Sequence, residues 1–379
     1  MAHTRLSATL SDWLDTHAEA IDAGTHDPSA IVPTLGAAGL FRLGVPGAGD
    51  SSRTGDAILA IAEVARHSLA AAFVYWSQRT FIEYLLQSPN ATLRERLLPG
   101  LLTGATAGAT GLSNAMKFLC GIEALQITAR EQDGRWRLDG RMPWVTNLRP
   151  QGFHVAGAVT TPRGGSAIVA LPHDAPGLSR SADLDLIALQ SSNTAALALT
   201  DVDVPPEWLI HENAAIYLPH VRPAFVGLQC GLALGLAQRA LEEAQASSGP
   251  RHALQAPLAQ ASHGLATLRE QLIEGVHDGR YRTAPTALFE LRISLAELAA
   301  QAVQLELRAH GGAAYLNGKR PGFARRWREA AFVPIVTPSV VQLQTEIAKR
   351  RAVDGVDAAC ARRAVPRAKP GVRGTKVVQ

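Results

Sequence analysis

A chain of 379 residues, 47% hydrophobic but only 5% aromatic, is long enough to bury a large core in two or three domains, with Ala, Leu and Val filling most of it. The formal net charge of +4 is gathered near the C-terminus (Arg362, Arg363, Arg367, Lys369, Arg373, Lys376), which argues for a solvated basic tail over 353–379 and against a nucleic-acid surface. Cys120, Cys230 and Cys360 are too scattered to hold a metal. The first two sit in apolar surroundings as expected core thiols, and with no secretion signal and no run of about 20 apolar residues a cytoplasmic protein with no membrane span is expected.

Residues 1–103 read as a helical domain. Ser11-Asp12 can cap a first helix, and Ile58, Leu59, Ile61, Ala62 and Val64 give the dense apolar pattern of a buried one. Gly44-Val-Pro-Gly-Ala-Gly-Asp50 is a loop by its Gly and Pro, Ala70 to Leu86 is a mostly apolar helix, and Pro99-Gly100 is expected to close the region. Residues 104–213 read as an antiparallel β domain. Its short runs are Ile122–Ala129, Arg135–Leu138, Phe153–Val159, Ala167–Leu171 and Ala195–Leu199, separated by turns such as Asp133-Gly134, Asp139-Gly140 and Arg163-Gly-Gly-Ser166. From 214 to 352 helical period returns. Ala224 to Ala246 is apolar on several faces, with Gly227, Gly231 and Gly235 on one side where a second helix can approach closely. Helices over about Pro257–Asp278 and Thr286–His310 follow, and Thr337-Pro338 is predicted to start the last one. The fold class is α+β: an N-terminal helical domain, a middle antiparallel β domain and a C-terminal four-helix bundle.

Three segments in this order resemble the acyl-CoA dehydrogenase family of flavoproteins. They are Gly140-Arg-Met-Pro-Trp-Val-Thr-Asn147, Arg222-Pro-Ala-Phe-Val-Gly227 running into Gly231 to Ala244, and His310-Gly-Gly-Ala-Ala-Tyr315 followed by Arg328-Glu329 and Ile335-Val-Thr-Pro-Ser339. No Gly-x-Gly-x-x-Gly opens a helix after a strand, so a dinucleotide would not be held by a Rossmann unit. The resemblance implies FAD lying extended between the β domain and the bundle. It implies that Trp144 packs beside the isoalloxazine ring, Thr146 hydrogen-bonds near N5 and Thr110 contacts the pyrimidine side. Arg251, Arg308, Gly311 and Gly312 would meet the cofactor of a neighbouring subunit, which requires a homodimer or homotetramer. Ser113 falls in the loop that touches coenzyme A, and Arg222 and Tyr84 are expected at the substrate.

The key acid of the pattern is missing. The family's Tyr-Glu-Gly-Thr places a Glu where it takes the α-proton of an acyl thioester, and here that position is Thr337, whose hydroxyl is no base near neutral pH. The alternative site for that Glu, just before Arg222, is Val221. Glu83 is a candidate relocated base on the apolar helix beside Tyr84. The resemblance implies an FAD-dependent dehydrogenase of acyl-CoA or a related thioester that passes electrons to an electron-transferring flavoprotein. The alternatives are a two-component monooxygenase of the same fold fed by a flavin reductase, and a non-catalytic flavin- or acyl-binding relative.

Overall fold

In a computed structural model that describes residues 6–47, 53–119, 121–249, 252–316 and 318–363, the chain runs through helices, a sheet and helices again. The first group is α1 (Ala8–Asp22), α2 (Ile31–Ala37), α3 (Thr54–His67), α4 (Leu69–Leu86) and α5 (Ala91–Thr103). The first helix starts earlier than Ser11-Asp12 suggested, because Ser7 Oγ accepts the Leu10 N–H at 3.3 Å. Pro99 does not close the region either. It lies inside α5, which ends at Gly104, where a φ of +75° supplies the left-handed cap.

Helix α4 is buried on nearly every face, polar residues included. Gln78 makes this tolerable by donating through Nε2 to the Leu101 carbonyl at 2.9 Å and the Thr106 carbonyl at 3.0 Å.

The sheet has β1 (Ala107–Thr110), β2 (Ile127–Gln132), β3 (Arg135–Val145), β4 (Phe153–Thr160), β5 (Ser166–Pro172), β6 (Leu178–Arg180), β7 (Ala195–Val204) and β8 (Leu209–His211). Their order is β6-β7-β3-β2-β4-β5-β8, with β1 on β4. The predicted antiparallel domain is in fact mixed, since β4 pairs in parallel with both β1 and β2. The segment between β1 and β4 is long enough for that crossover. It includes a short helix, α6 (Ser113–Leu119), and Ile122 belongs to the turn behind it, its N–H bonded to the Lys117 carbonyl at 2.9 Å. That turn, not a strand, occupies the start of the predicted run from Ile122.

The last group is α7 (Ala214–Ser248), α8 (His252–His277), α9 (Pro285–His310), α10 (Phe323–Phe332) and α11 (Val340–Arg363). Helix α7 is central. A Cβ on Gly231 would stand 2.8 Å from the Ile58 carbonyl oxygen and one on Gly235 would overlap that of Ala62, so the glycine stripe is where α3 crosses. Among the described residues α7 alone is long and apolar enough to cross a membrane, and 83% of that window is buried inside the fold, as suits a core helix. Cys230, on this helix, has its thiol pushed up to about 12 by burial.

The final helix starts at Val340, not at Thr337-Pro338. Gln342 N–H donates to Ser339 Oγ at 3.3 Å and Ser339 N–H to Gln342 Oε1 at 2.7 Å, a reciprocal cap that sets the boundary. The helix then continues to Arg363, into the segment predicted as tail. Cys120, Arg251 and residues 364–379 lie outside the described residues.

Candidate functional site

A cavity of ≈ 520 Å³ opens where the ends of β1 and β3 face α4, α7 and the connection from α10 to α11. Its β-side wall is Thr110, Trp144, Thr146 and Thr194. The loop after β3 is held tightly: Asn147, at φ +66°, donates through Nδ2 to the Gly108 carbonyl at 2.9 Å and to Gln78 Oε1 at 3.0 Å. Ser77 Oγ lies 3.2 Å from the Thr146 carbonyl, which it can donate to. The hydroxyls of this wall join chains that run back to Ser192 and Tyr84. Thr146 Oγ1 is 3.0 Å from Thr194 Oγ1, which is 2.8 Å from Ser192 Oγ, and Thr110 Oγ1 is 2.8 Å from the Tyr84 hydroxyl. Burial raises the pKa of the Tyr84 phenol, so it stays protonated. Trp144 stands 62% exposed at the mouth, an unusual amount for a flat apolar ring.

The inner wall is aromatic. Phe73 and Trp76 on α4 stack at 5.4 Å with an interplanar angle of 6°. Phe332 meets Phe73 edge-on at 4.7 Å, and Phe225 of α7 meets Trp76 at 5.3 Å. These distances and angles are those at which ring quadrupoles attract. The third wall is the α10–α11 connection, including Thr337, Ser339 and Gln342. The Thr337 carbonyl accepts from Gln229 Nε2 at 2.9 Å. Gln229 Oε1 accepts from Arg292 Nε at 2.8 Å, and Arg292 Nη2 donates to the Val333 carbonyl at 2.5 Å. Arg292 is only 1% exposed, and its desolvation lowers its pKa.

Among the described residues, two charged side chains line the cavity, Lys117 and Arg328. Lys117 Nζ holds Glu123 Oε1 at 2.7 Å, which keeps that carboxyl below the usual carboxylate range. Arg328 Nη2 holds Asp22 Oδ2 at 2.6 Å, while Asp22 Oδ1 accepts the Leu189 N–H at 2.8 Å and so ties the lining loop 186–189 to α1. No Asp or Glu lines the cavity among the described residues.

Of the residues singled out from the sequence, Thr110, Ser113, Trp144, Thr146 and Thr337 come together on this one cavity. Tyr84 does not reach it and stands behind Thr110. Glu83 does not line it. Its Oε2 accepts from Arg79 Nη1 at 2.8 Å and its Oε1 from Gln87 Nε2 at 2.5 Å, so the candidate base is the counter-charge of a buried guanidinium. Arg222 is likewise away from the cavity, with Nη1 2.7 Å from Glu346 Oε1 and its guanidinium over the Phe289 ring. Gly311 and Gly312 follow α9 with open space where a Cβ would stand, Arg308 is exposed beside them, and none of the three lines this chain's own cavity. Phe73, Trp76, Phe225, Phe332, Thr194 and Arg328 were not foreseen, and only the clustering of aromatic residues on one buried helix hinted at the first two.

The residues present fit a flavin. An exposed indole at the mouth offers a face to a planar ring, and Thr110 and Thr146 set hydroxyls in the same wall.

Residues 2–105 match the family model for the acyl-CoA dehydrogenase N-terminal domain. A Bacillus subtilis protein described as a probable acyl-CoA dehydrogenase, YngJ, is 25% identical over 343 residues, 84% of this chain and 88% of that protein. The mitochondrial isovaleryl-CoA dehydrogenase of Pongo abelii is 28% identical over 171 residues, and the match spans only 42% of this chain and 40% of the enzyme. Among solved structures, KijD3 in complex with dTDP superposes with a TM-score of 0.77 over 91% of this chain and 94% of that one at 21% identity.

Proposed function

This chain belongs to the acyl-CoA dehydrogenase family, whose members are flavin-dependent oxidoreductases, and we propose that it is a flavin-dependent monooxygenase of the two-component kind. The observation that carries this is the absence of any Asp or Glu among the described residues lining the cavity. Removal of an α-proton from a thioester requires a base within hydrogen-bond reach of it, and Thr, Ser and Gln side chains do not serve near pH 7.

With a reduced flavin bound, one atom of O2 enters the substrate and the other leaves as water, the two electrons coming from the cofactor. The chain's own residues then have defined work. The aromatic wall of Phe73, Trp76, Phe225 and Phe332 excludes water from the reacting end. Thr146 and Thr110 would present hydroxyls to a bound ring, each hydrogen-bonded to a second hydroxyl. Thr337, Ser339 and Gln342 offer neutral hydrogen-bonding groups, which can orient a substrate without deprotonating it.

The reading this displaces is α,β-dehydrogenation of an acyl thioester with an electron-transferring flavoprotein as acceptor. Its support is the sequence relatives named acyl-CoA dehydrogenase, and it lacks a base at the cavity. We take the cofactor to be FAD, its outer half reaching Arg251, Arg308, Gly311 and Gly312 of a second copy in a homodimer or homotetramer, and the electron source to be a separate flavin reductase. The test is to supply reduced FAD in air and follow oxygen uptake with and without protein and candidate substrates. Substrate-dependent oxygen uptake matched by oxygenated product supports the reading, and its absence across substrates that bind refutes it.

A further inference from the structure

Resting on the oxygenating reading above, we propose that the substrate is an uncharged, flat aromatic or heteroaromatic molecule of one or two rings, and neither an acyl-CoA nor a nucleotide sugar. The charge arrangement carries the exclusion. Coenzyme A and nucleoside diphosphates bring several phosphate charges, which proteins meet with free guanidinium and ammonium groups or with open backbone N–H groups at a helix start. Among the described residues, the two cations lining this cavity already hold carboxylates: Lys117 holds Glu123 at 2.7 Å and Arg328 holds the buried Asp22 at 2.6 Å. The helix start that borders it is taken too, because Ser339 and Gln342 cap each other's backbone N–H groups. A phosphate arriving here would have to displace an existing ion pair or cap at each contact.

The aromatic wall carries the positive half. Phe73, Trp76, Phe225 and Phe332 reach the cavity from three helices and already contact one another at 4.7 to 5.4 Å in stacked and edge-on pairs. A flat guest extends that set of ring contacts, whereas a saturated chain fills the same volume without the quadrupole attraction. The indole N–H of Trp76 is buried with no hydrogen-bond partner in the wall. Thr337, Ser339 and Gln342 stand along the cavity as neutral partners for a hydroxyl, carbonyl or ring nitrogen.

The test is isothermal titration of the flavin-loaded full chain with matched neutral probes, 2-naphthol and its saturated analogue 2-decalol, and with two charged probes, butyryl-CoA and dTDP. The flavin absorbance is read in the same titrations. We expect 2-naphthol to bind about three- to tenfold more tightly than 2-decalol and to perturb the flavin band, with neither phosphate-bearing probe saturating at ten times the naphthol Kd. Phe332→Leu, at a half-buried position, should erase most of the naphthol preference and leave decalol affinity unaltered; Phe225→Leu should do the same. Equal affinity for the two bicycles, or butyryl-CoA or dTDP binding as tightly as naphthol, would overturn the proposal. Oxygen uptake is read separately. Aromatic binding without oxygen uptake for any bound aromatic would sink the oxygenating reading alone, and oxygen uptake driven by butyryl-CoA or dTDP would sink this inference alone.

Discussion

Replacing Thr194 with Val preserves the shape of the side chain and removes the middle hydroxyl from the chain Ser192–Thr194–Thr146. Ser192 is 0% exposed, and Thr194 is its side-chain hydroxyl partner at 2.8 Å, so its oxygen is left buried and unsatisfied. Thr146, 6% exposed, loses its 3.0 Å partner but opens onto the cavity and can find water. One stranded buried hydroxyl makes a loss of about 1–3 kcal/mol. Since unfolding entropy scales with chain length, that corresponds to a fall of roughly 1.5–4 °C in the apparent Tm for a chain of this size. On the proposed placement of the flavin against this wall, the same substitution frees the Thr146 hydroxyl to rotate away from it, which should weaken flavin binding about two- to tenfold. Thermal unfolding and quenching of flavin fluorescence measure the two effects. In the double variant Ser192→Ala, Thr194→Val no hydroxyl is stranded behind the wall, so its stability loss should be less than the sum of the single losses. If Thr194→Val leaves both Tm and flavin affinity unchanged, the hydroxyl chain does not organise the site.

Other expectations follow from the same geometry. Glu83→Gln should reduce stability by about 3 kcal/mol or more, because Arg79 is left as a buried cation without its counter-charge, while turnover per folded molecule stays within twofold. A collapse of turnover in a fully folded variant would restore Glu83 as a base. Thr337→Ala should leave turnover within about threefold, because its carbonyl, not its hydroxyl, is the group Gln229 holds; a hundredfold loss would give the hydroxyl a chemical role.

His154 adds a pH dependence of stability. Burial, helped by His173 and Arg96 and opposed by Asp174, lowers its pKa from the ordinary 6.5 to about 4. Between those values the unfolded chain binds the proton and the folded chain does not, so stability falls as pH drops from 6.5 toward 4, by at most ~3 kcal/mol given the ring's partial exposure. The slope should flatten in His154→Gln when unfolding is followed from pH 7 to 5.

Much of the fold was legible because period and turn chemistry act locally. The runs Phe153–Val159 and Ala167–Leu171 became strands almost residue for residue, and the stripe Gly227, Gly231, Gly235 marked the place where α3 crosses α7. Boundaries set by competing caps were harder. Ser7 and Ser339 each moved a helix start, and Pro99 was absorbed within a helix that Gly104 ends.

The site divided along a similar line. The Trp144–Thr146 segment joins Thr110 and Thr337 at the cavity. Helix α4 misled. It is buried on all sides, so no hydrophobic face says which residues reach the cavity. Tyr84 looked like a pocket residue and Glu83 like a base, whereas Phe73 and Trp76 line the cavity and Glu83 pairs with Arg79 one turn back. Nor could Arg222 be placed, since Glu346, the residue that holds it, lies over a hundred positions along the chain.

The central claim is that a flavin can be housed here with no base to start α,β-dehydrogenation. It is tested most directly by an anaerobic titration of the FAD-loaded protein with butyryl-CoA and longer acyl-CoAs, following the oxidised flavin band. The account predicts an unbleached band at saturating thioester. Stoichiometric bleaching would contradict it and place a proton acceptor within reach of the substrate.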